Sequence, residues 1–488
     1  MPERLSCLAL DLGAESGRAM VGRFDGVSLD LQEVHRFANG PVRVRGALHW
    51  DVPRLFAEIQ TGIAKAAQEG PLAGLAVDTW GVDFALLDRD GELLGLPYHY
   101  RDPRTAGMEA LALSRASREE IFAATGIQFM PINSLYQLLA LVAKKSPLLE
   151  VAATLLFMPD LFNSWLAGPQ VSESTIASTS QLYDPRRGDW ARDLLSRLGV
   201  PTDFLPPLVP PGTVLGPLQP EVAEATGAGP VAVIAAAGHD TAAAVAAAPL
   251  TGPDAAYLSS GTWSLLGAET AAPVITPQSL AYNFTNEVGV AGTIRLLKNI
   301  AGLWLLQQCR REWRLDYDAL VVLAAQAPAF GPLIDPDDPA LLAIGDVPGR
   351  IREIWAHTGQ RVEPAPGMPG VVTRCILESL ALAYRRTLRR LVELSARTVR
   401  VLNVVGGGAR NRLLCQLTAD ATGCAVHAGP IEATAIGNVL AQLIALGEVA
   451  DFAQGRELVR RSFPLAVYAP QPDGRWPEAV ARFERFFA

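Results

Sequence analysis

A strand, a tight turn of small residues and a returning strand occur twice in this chain, once near the head of each half. Leu5 to Leu10 reads as the first strand, Asp11-Leu12-Gly13-Ala14-Glu15-Ser16-Gly17 as its turn, and Arg18 to Phe24 as the return. Ala255 to Leu258, Ser259-Ser260-Gly261-Thr262 and Trp263 to Leu266 repeat the plan. Each unit is followed by αβ elements, which predicts an α/β protein of two similar domains facing each other across a cleft. The 488 residues exceed one ordinary core and suit that division. Pro, Gly and Thr cluster from Pro249 to Asp254 between apolar elements. The expected domains are therefore 1–248 and 249–488.

Further strands are expected at Leu75-Ala76-Val77, Phe84-Ala85-Leu86-Leu87 and Val231-Ala232-Val233-Ile234, the second closed by Asp88-Arg89-Asp90-Gly91. Helical patterns cover Ser134 to Lys145 and Asp160 to Leu166. Pro201 to Pro217 reads as an ordered surface loop, because apolar residues interrupt its prolines. A long helix is expected from Thr373 to Leu394, with Ile376, Leu380, Ala383, Leu388 and Leu391 on one face. Its Arg385, Arg386, Arg389 and Arg390 read as a solvated face rather than an anion site. Val401 to Val405 then runs as a strand into Gly406-Gly407-Gly408, with a helix from Asn411.

Net charge is -8 and no long basic run occurs, which disfavours a nucleic-acid partner. With 49% hydrophobic and 19% charged residues, the chain suits large interior layers. Five dispersed cysteines with no Cys-x-x-Cys pair suggest reduced, buried thiols, with no disulfide expected around Cys375. The six histidines lack zinc-ligand spacing. Met1 to Ala9 is too short before Asp11 for a secretory signal, and no apolar run reaches membrane-spanning length. The expectation is a cytoplasmic protein with no membrane partner. Its oligomeric state is not legible.

Ala237-Gly238-His239-Asp240-Thr241-Ala242 sets an acid among small residues, between a strand and a helix opening at Thr241 to Ala248. A carboxylate there can meet a substrate while rigid elements hold it, or it caps the helix. In the first turn, small residues let backbone N–H groups approach phosphate oxygens, and Asp11 suits a hydrated magnesium ion. A plain hairpin is the alternative. It is not a Walker loop, since no Gly-Lys-Ser/Thr occurs and the turn leads into a strand. Arg18 reaches either a phosphate or solvent.

The second turn suits another phosphate contact, with Thr262 the best candidate. One such turn per domain fits a clamp on a polyphosphate better than either does alone. Gly406-Gly407-Gly408 admits a flat ring or a phosphate to the backbone, or serves strand–helix packing. It lacks the dinucleotide fingerprint. Asp78-Thr79-Trp80-Gly81-Val82-Asp83 offers a ring face and acids suited to a polyol, or else a buried Trp at a hairpin. Tyr98 to Arg104 is a polar–aromatic cluster placed to rim the same pocket.

Together these segments resemble the FGGY carbohydrate kinases. The likeness is carried by Asp11-Leu-Gly-Ala-Glu-Ser-Gly-Arg18, Asp78-Thr-Trp-Gly-Val-Asp83, Gly126-Ile-Gln-Phe129, Gly238-His-Asp-Thr241 and Tyr257-Leu-Ser-Ser-Gly-Thr-Trp-Ser264. It continues through Leu297-Lys-Asn-Ile-Ala-Gly-Leu-Trp-Leu-Leu-Gln307 and Val405-Gly-Gly-Gly408 to Gly429-Pro-Ile-Glu-Ala433, in the family's order. The resemblance implies two ribonuclease-H-like domains of the actin/Hsp70/sugar-kinase type. The first would hold the sugar and the catalytic base, the second mainly ATP.

It further implies Mg2+ with ATP as co-substrate. The branch that Asp78–Asp83 and Leu297–Ile300 resemble phosphorylates L-rhamnulose at its 1-hydroxyl, between rhamnose isomerisation and aldol cleavage. Asp240 matches the family's catalytic base. Gly81, His239, Asp240, Thr241 and Asn299 match sugar-binding positions. Ala14, Glu15, Ser16, Gly17, Arg18, Thr262, Gln307 and Gly407 match ATP-binding positions. Asp11 is expected near the metal, through water. Glu15 adds an acid beside the phosphate turn, so its side chain is expected to point away or to act through magnesium. Pro328 to Pro369 resembles the family least and is assigned no site residue.

Three rivals remain at this point. A kinase of the same fold for L-fuculose or a pentulose would differ in a few pocket side chains, and a substrate panel separates it. A non-catalytic nucleotide or sugar sensor would not need both Asp11 and Asp240. An actin-like cytoskeletal or chaperone ATPase would leave the segment around Trp80 without a task.

Overall fold

The computed structural model describes residues 4–341, 345–360, 362 and 368–487. Residues 1–3, which open the stretch read for a leader, lie outside them, as do 342–344, 361 and 363–367 in the stretch without assigned sites. The chain folds as two compact units. Unit 1 comprises Met1–Ala247, Glu269–Leu296 and Ala433–Ser462; unit 2 comprises Ala248–Ala268, Leu297–Glu432 and Phe463–Ala488.

Unit 1 is built on a six-stranded sheet. Its strands are β1 (Leu5–Leu12), β2 (Ser16–Phe24), β3 (Leu29–Ala38), β4 (Gly74–Thr79), β5 (Thr213–Pro217) and β6 (Ala232–Ala235). Their order is β5-β6-β4-β1-β2-β3. β1 to β3 form an antiparallel meander, whereas β4 lies parallel to β1 and β6 parallel to β4. Central strands of this kind are covered on both faces, which is why Leu8 and Leu10 on one face of β1 and Cys7 and Ala9 on the other are all buried.

The helix Val52–Glu69 covers part of this sheet through Leu55, Ile59, Ile63 and Ala66, at helical spacing. Asp51 caps it by accepting from Arg54 N at 3.3 Å. Each large side chain so buried contributes about 1.5–3 kcal/mol. A second cluster of unit 1 gathers around the strand pair Phe84–Leu87 and Thr154–Phe157.

The chain's later segment Ala433–Ala445 is a helix of unit 1, so the expected second half is not one continuous domain. The first crossing between units, at 247/248, lies one residue from the expected 248/249 cut. Residues 269–296 and 433–462 then return to unit 1. The reason lies in packing that composition does not advertise. Asn438 and Gln442, one helical turn apart, donate to Asp78 Oδ2 at 2.6 Å and to Leu8 O at 2.9 Å. Gly437 meets the helix Asp240–Ala246 so closely that a Cβ there would overlap the Ala243 carbonyl.

Unit 2 repeats the strand plan with β7 (Ala255–Ser260), β8 (Trp263–Thr270), β9 (Ile294–Ala301), β10 (Val401–Val405), β11 (Ala425–Ala428) and β12 (Ala466–Tyr468), of which the last two residues of β8 and the first three of β9 count with unit 1. Neighbours run β9-β8-β7-β10-β11-β12. β7 pairs antiparallel with β8 and parallel with β10, as β1 does with β2 and β4.

Two expectations change in detail. The Pro201 to Pro217 stretch holds two strands, Leu208–Val209 and Thr213–Pro217, each paired to a neighbour. The long helix runs Met368–Ser395, and its arginine face is not simply solvated. Arg385 donates to Ala421 O at 2.8 Å, and Arg386 to Phe487 O at 2.8 Å and Asp335 Oδ2 at 3.1 Å. Long guanidinium stems reach carbonyls that a helical wheel cannot display. All five cysteines are free and buried, and burial pushes the Cys7, Cys375 and Cys415 thiols up to about 12. Among the described residues no helix is long and apolar enough to cross a membrane.

Candidate active site

Register alone brings the first carboxylates of unit 1 together. Asp11 stands opposite Arg18 on β2 and beside Asp78 on β4. Thr79 then bridges to His239, and Thr79 N donates to Gly238 O at 2.9 Å. The carboxyl ends of β1, β4 and β6 thus converge, the place where open parallel sheets present ligand-binding loops.

The first turn is tightly braced. Gly13 N donates to Ser16 O at 3.0 Å, Asn39 N to Glu15 O at 2.9 Å and Asn39 Nδ2 to Gly13 O at 2.8 Å. Arg18 does not point to solvent: its Nη2 donates to Asp11 Oδ2 at 2.6 Å. Ala14, Glu15 and Ser16 are half-buried, so the turn keeps part of its surface accessible.

Asp78 is 0% exposed, and its Oδ1 has no protein partner. Burial above all, then the neighbouring charge of Asp11, pushes its carboxyl well above the usual range; the Asn438 donation opposes this and the Asp240 charge adds to it. A buried, unpartnered oxygen among carboxylates is the chemistry a divalent cation relieves. Among the described residues, however, no three potential ligands form a metal cage by themselves. The donor set of Asp11 and Asp78 therefore fits a cation that brings most of its own ligands, as one carried on nucleotide phosphates does.

Asp240 is the first residue of the helix Asp240–Ala246, and His239 is the cap, with no side-chain capping bond. The alternative in which Asp240 serves as the N-cap therefore does not hold. Its carboxylate is 29% exposed; Oδ1 accepts from Thr241 Oγ1 at 3.1 Å and lies 3.4 Å from His239 Nε2. The other side of the His239 ring meets Arg295 and Glu287: Nδ1 lies 3.1 Å from Arg295 Nη2 and 3.4 Å from Glu287 Oε2. Burial pushes Glu287 up, but the Arg295 and His239 neighbours outweigh it and hold the carboxyl below its usual range.

The turn before the helix hangs on Glu173. Its Oε2 accepts from Gly238 N at 2.9 Å, and Thr175 Oγ1 accepts from His239 N at 3.3 Å. Gly81 adjoins the same turn, since a Cβ there would come within 3.4 Å of His239 Nε2 and 3.2 Å of Thr179 Oγ1. Trp80 beside it is not an open platform for a sugar. Its ring lies 3.9 Å from that of Trp50, and both indole N–H groups donate to buried Asp83. His99 and Tyr100 continue this stack, so the Tyr98 to Arg104 cluster braces the loop from inside.

In unit 2, the turn between β7 and β8 receives the start of the helix Trp304–Trp313: Leu303 N donates to Gly261 O and Trp304 N to Thr262 O, both at 3.0 Å. Gln307 Nε2 reaches back to Thr262 Oγ1 at 3.2 Å, which unites two of the expected ATP-binding residues. The triple glycine packs on the same turn. A Cβ at Gly408 would overlap Ser260, and one at Gly406 would lie 3.0 Å from Ser260 O. Gly407 differs: it is exposed, with open space where its side chain would be. Asn299 stands half-buried on β9.

Sequence reasoning missed Glu173, Glu287 and Arg295. The signal was a charged residue inside a short apolar run, as Arg295 sits in Ile294-Arg-Leu-Leu297. A wholly buried charge is rare and demands a partner.

Residues 6–247 match the N-terminal domain of the FGGY family of carbohydrate kinases, and residues 256–446 match its C-terminal domain. The chain belongs to this family, and it is an ATP-dependent sugar phosphotransferase. Among curated proteins it is similar to the rhamnulokinase of Bacteroides thetaiotaomicron, 48% identical over 478 residues that cover 98% of each chain. It is also similar to that of Pectobacterium carotovorum, 44% identical over 98% of this chain and 95% of the relative. Solved structures share the two-domain fold. A gluconate kinase from Lactobacillus acidophilus superposes with a TM-score of 0.78 at 19% identity, covering 99% of this chain and 96% of that one. Plasmodium falciparum glycerol kinase with ADP gives 0.79 at 14% identity, covering 100% and 99%.

Proposed function

We propose that the protein transfers the γ-phosphoryl group of ATP to the 1-hydroxyl of L-rhamnulose, with Asp240 as general base. The similarity to two rhamnulokinases over nearly the whole chain supports the choice of sugar. One observation carries the choice of base. Asp240 keeps a part-exposed carboxylate beside Gly81 and His239, while Asp11 and Asp78 are buried and engaged by Arg18 and Asn438. Asp240 is thus the acid of this group most open to a substrate hydroxyl.

Phosphoryl transfer asks the protein for alignment, charge neutralisation and a proton acceptor. Asp240 takes the hydroxyl proton as the sugar oxygen bonds to phosphorus; the bond from phosphorus to the ADP oxygen breaks, giving ADP and the sugar 1-phosphate. Gly81, His239, Thr241 and Asn299 are the residues assigned to the sugar. The turn Ala14–Arg18, Thr262, Gln307 and Gly407 would hold the nucleotide. Magnesium bound with ATP supplies charge neutralisation at the phosphates, and Asp11 and Asp78 are the carboxylates that fit it. The same reading places the reaction in the cytoplasm, in keeping with free, buried thiols.

Asp240→Asn is expected to lower kcat by about 10²- to 10⁴-fold, the usual worth of a positioned general base. Nucleotide affinity, followed by titration of the variant with ATP, should stay within about twofold, since Asn keeps the shape of the side chain. Turnover equal to the parent would reject Asp240 as the base.

A further inference from the structure

Arg295 is 0% exposed and stands in a chain of polar groups that ends at Asp240. Its Nε donates to Val288 O at 3.1 Å, which fixes the guanidinium plane. Its Nη2 faces Glu287 Oε2 at 3.0 Å and His239 Nδ1 at 3.1 Å. A guanidinium nitrogen only donates. Glu287 Oε2, an acceptor, also lies 3.4 Å from His239 Nδ1, but the Arg295 donor is the nearer of the two, so the geometry favours a lone pair on Nδ1 and, in the neutral ring, the proton on Nε2. Nε2 is the atom that faces Asp240 Oδ1, at 3.4 Å. Glu287 balances the buried guanidinium charge, which would otherwise be costly.

Because Asp240 Oδ1 already accepts from Thr241 Oγ1, a second donor on the same oxygen leaves Oδ2 for the substrate. Gly81 leaves room for the ring: a Cβ there would stand 3.4 Å from Nε2. We propose that Arg295, with Glu287 as its counter-charge, is a positioning residue that holds His239 as the Nε2–H tautomer, so that this N–H engages Asp240 Oδ1 and turns Oδ2 toward the sugar hydroxyl. The 3.4 Å separation is longer than a formed bond and shortens when substrate seats against Asp240. This role rests on the reading of Asp240 as the base; the tautomer itself does not.

The test is two-bond 1H–15N correlation of the full-length protein labelled with 15N-histidine, at mildly alkaline pH. The His239 signals are identified by their loss in His239→Gln. The expected result is a protonated Nε2 and an unprotonated Nδ1. A protonated Nδ1 in the parent protein overturns the proposal, and this reading needs no further variant. The double variant Glu287→Gln/Arg295→Met removes both buried charges together. It should lose the fixed tautomer and lower kcat by about tenfold or more, with KM for ATP within about twofold. An unchanged tautomer in that folded double variant overturns the proposal even if kcat falls, because the loss then comes from packing. An Nε2–H tautomer in a protein without sugar-dependent turnover overturns the positioning role through failure of the base assignment, and the two failures are told apart by the spectrum.

Discussion

Asp83 is a fully buried carboxylate that gathers four donors around the loop after β4. Its Oδ2 accepts from Trp50 Nε1 at 2.6 Å, Trp80 Nε1 at 3.0 Å and Tyr100 N at 3.1 Å, and its Oδ1 from Gln137 Nε2 at 2.8 Å. Burial nevertheless pushes its pKa up to about 6, against these donors. In the unfolded chain the group titrates near 3.8. Between those values the folded state binds more proton than the unfolded one, so this group makes stability fall as pH rises from about 4 to about 6. Below that window its favourable contribution is complete, and above it the contribution is lost. Asp83→Asn should flatten that part of the stability profile, measured by urea unfolding at several pH values. The slope at stake is about 1.4 kcal/mol per pH unit. The motif Asp78–Asp83 was legible as special, but its division of labour was not. Trp50, which takes Asp83 as its partner, lies over thirty residues upstream with no mark on it.

Strand–turn–strand units were the most legible elements, because apolar runs bounded by small residues admit few other readings. Helix boundaries at Asn411 and Asp240 also lay close to expectation: Asn411 caps Arg412–Thr422 through Leu414 N at 3.0 Å. What the pattern hid was the allegiance of the helix Ala433–Ala445, which belongs to unit 1 despite its late place in the chain. Its small residues look like those of any tightly packed helix, and only the tertiary partner explains Gly437. A methyl group there meets the Ala243 carbonyl, which is backbone and cannot swing aside. Gly437→Ala is expected to lower stability by about 1–3 kcal/mol, read from thermal or urea unfolding. It should also depress kcat, because the helix forced back is the one that begins with Asp240. Unchanged stability would mean that the two helices do not pack as described.

The two units share a strand plan, antiparallel on one side of the lead strand and parallel on the other, and each puts a small-residue turn after that strand. That duplication was readable from Asp11–Arg18 and Leu258–Ser264, since turn chemistry is local. Gln307 donates to Thr262, and open space lies where a side chain at Gly407 would be. The network behind His239 was not readable, because its members come from three separate segments. Substrate choice rests on few side chains, so it calls for a direct assay: ADP release with magnesium and ATP, comparing L-rhamnulose with L-fuculose, L-ribulose, D-xylulose and glycerol. Strong preference for L-rhamnulose is the expected result. Turnover only with another sugar, or none from folded protein that binds ATP, would contradict the account.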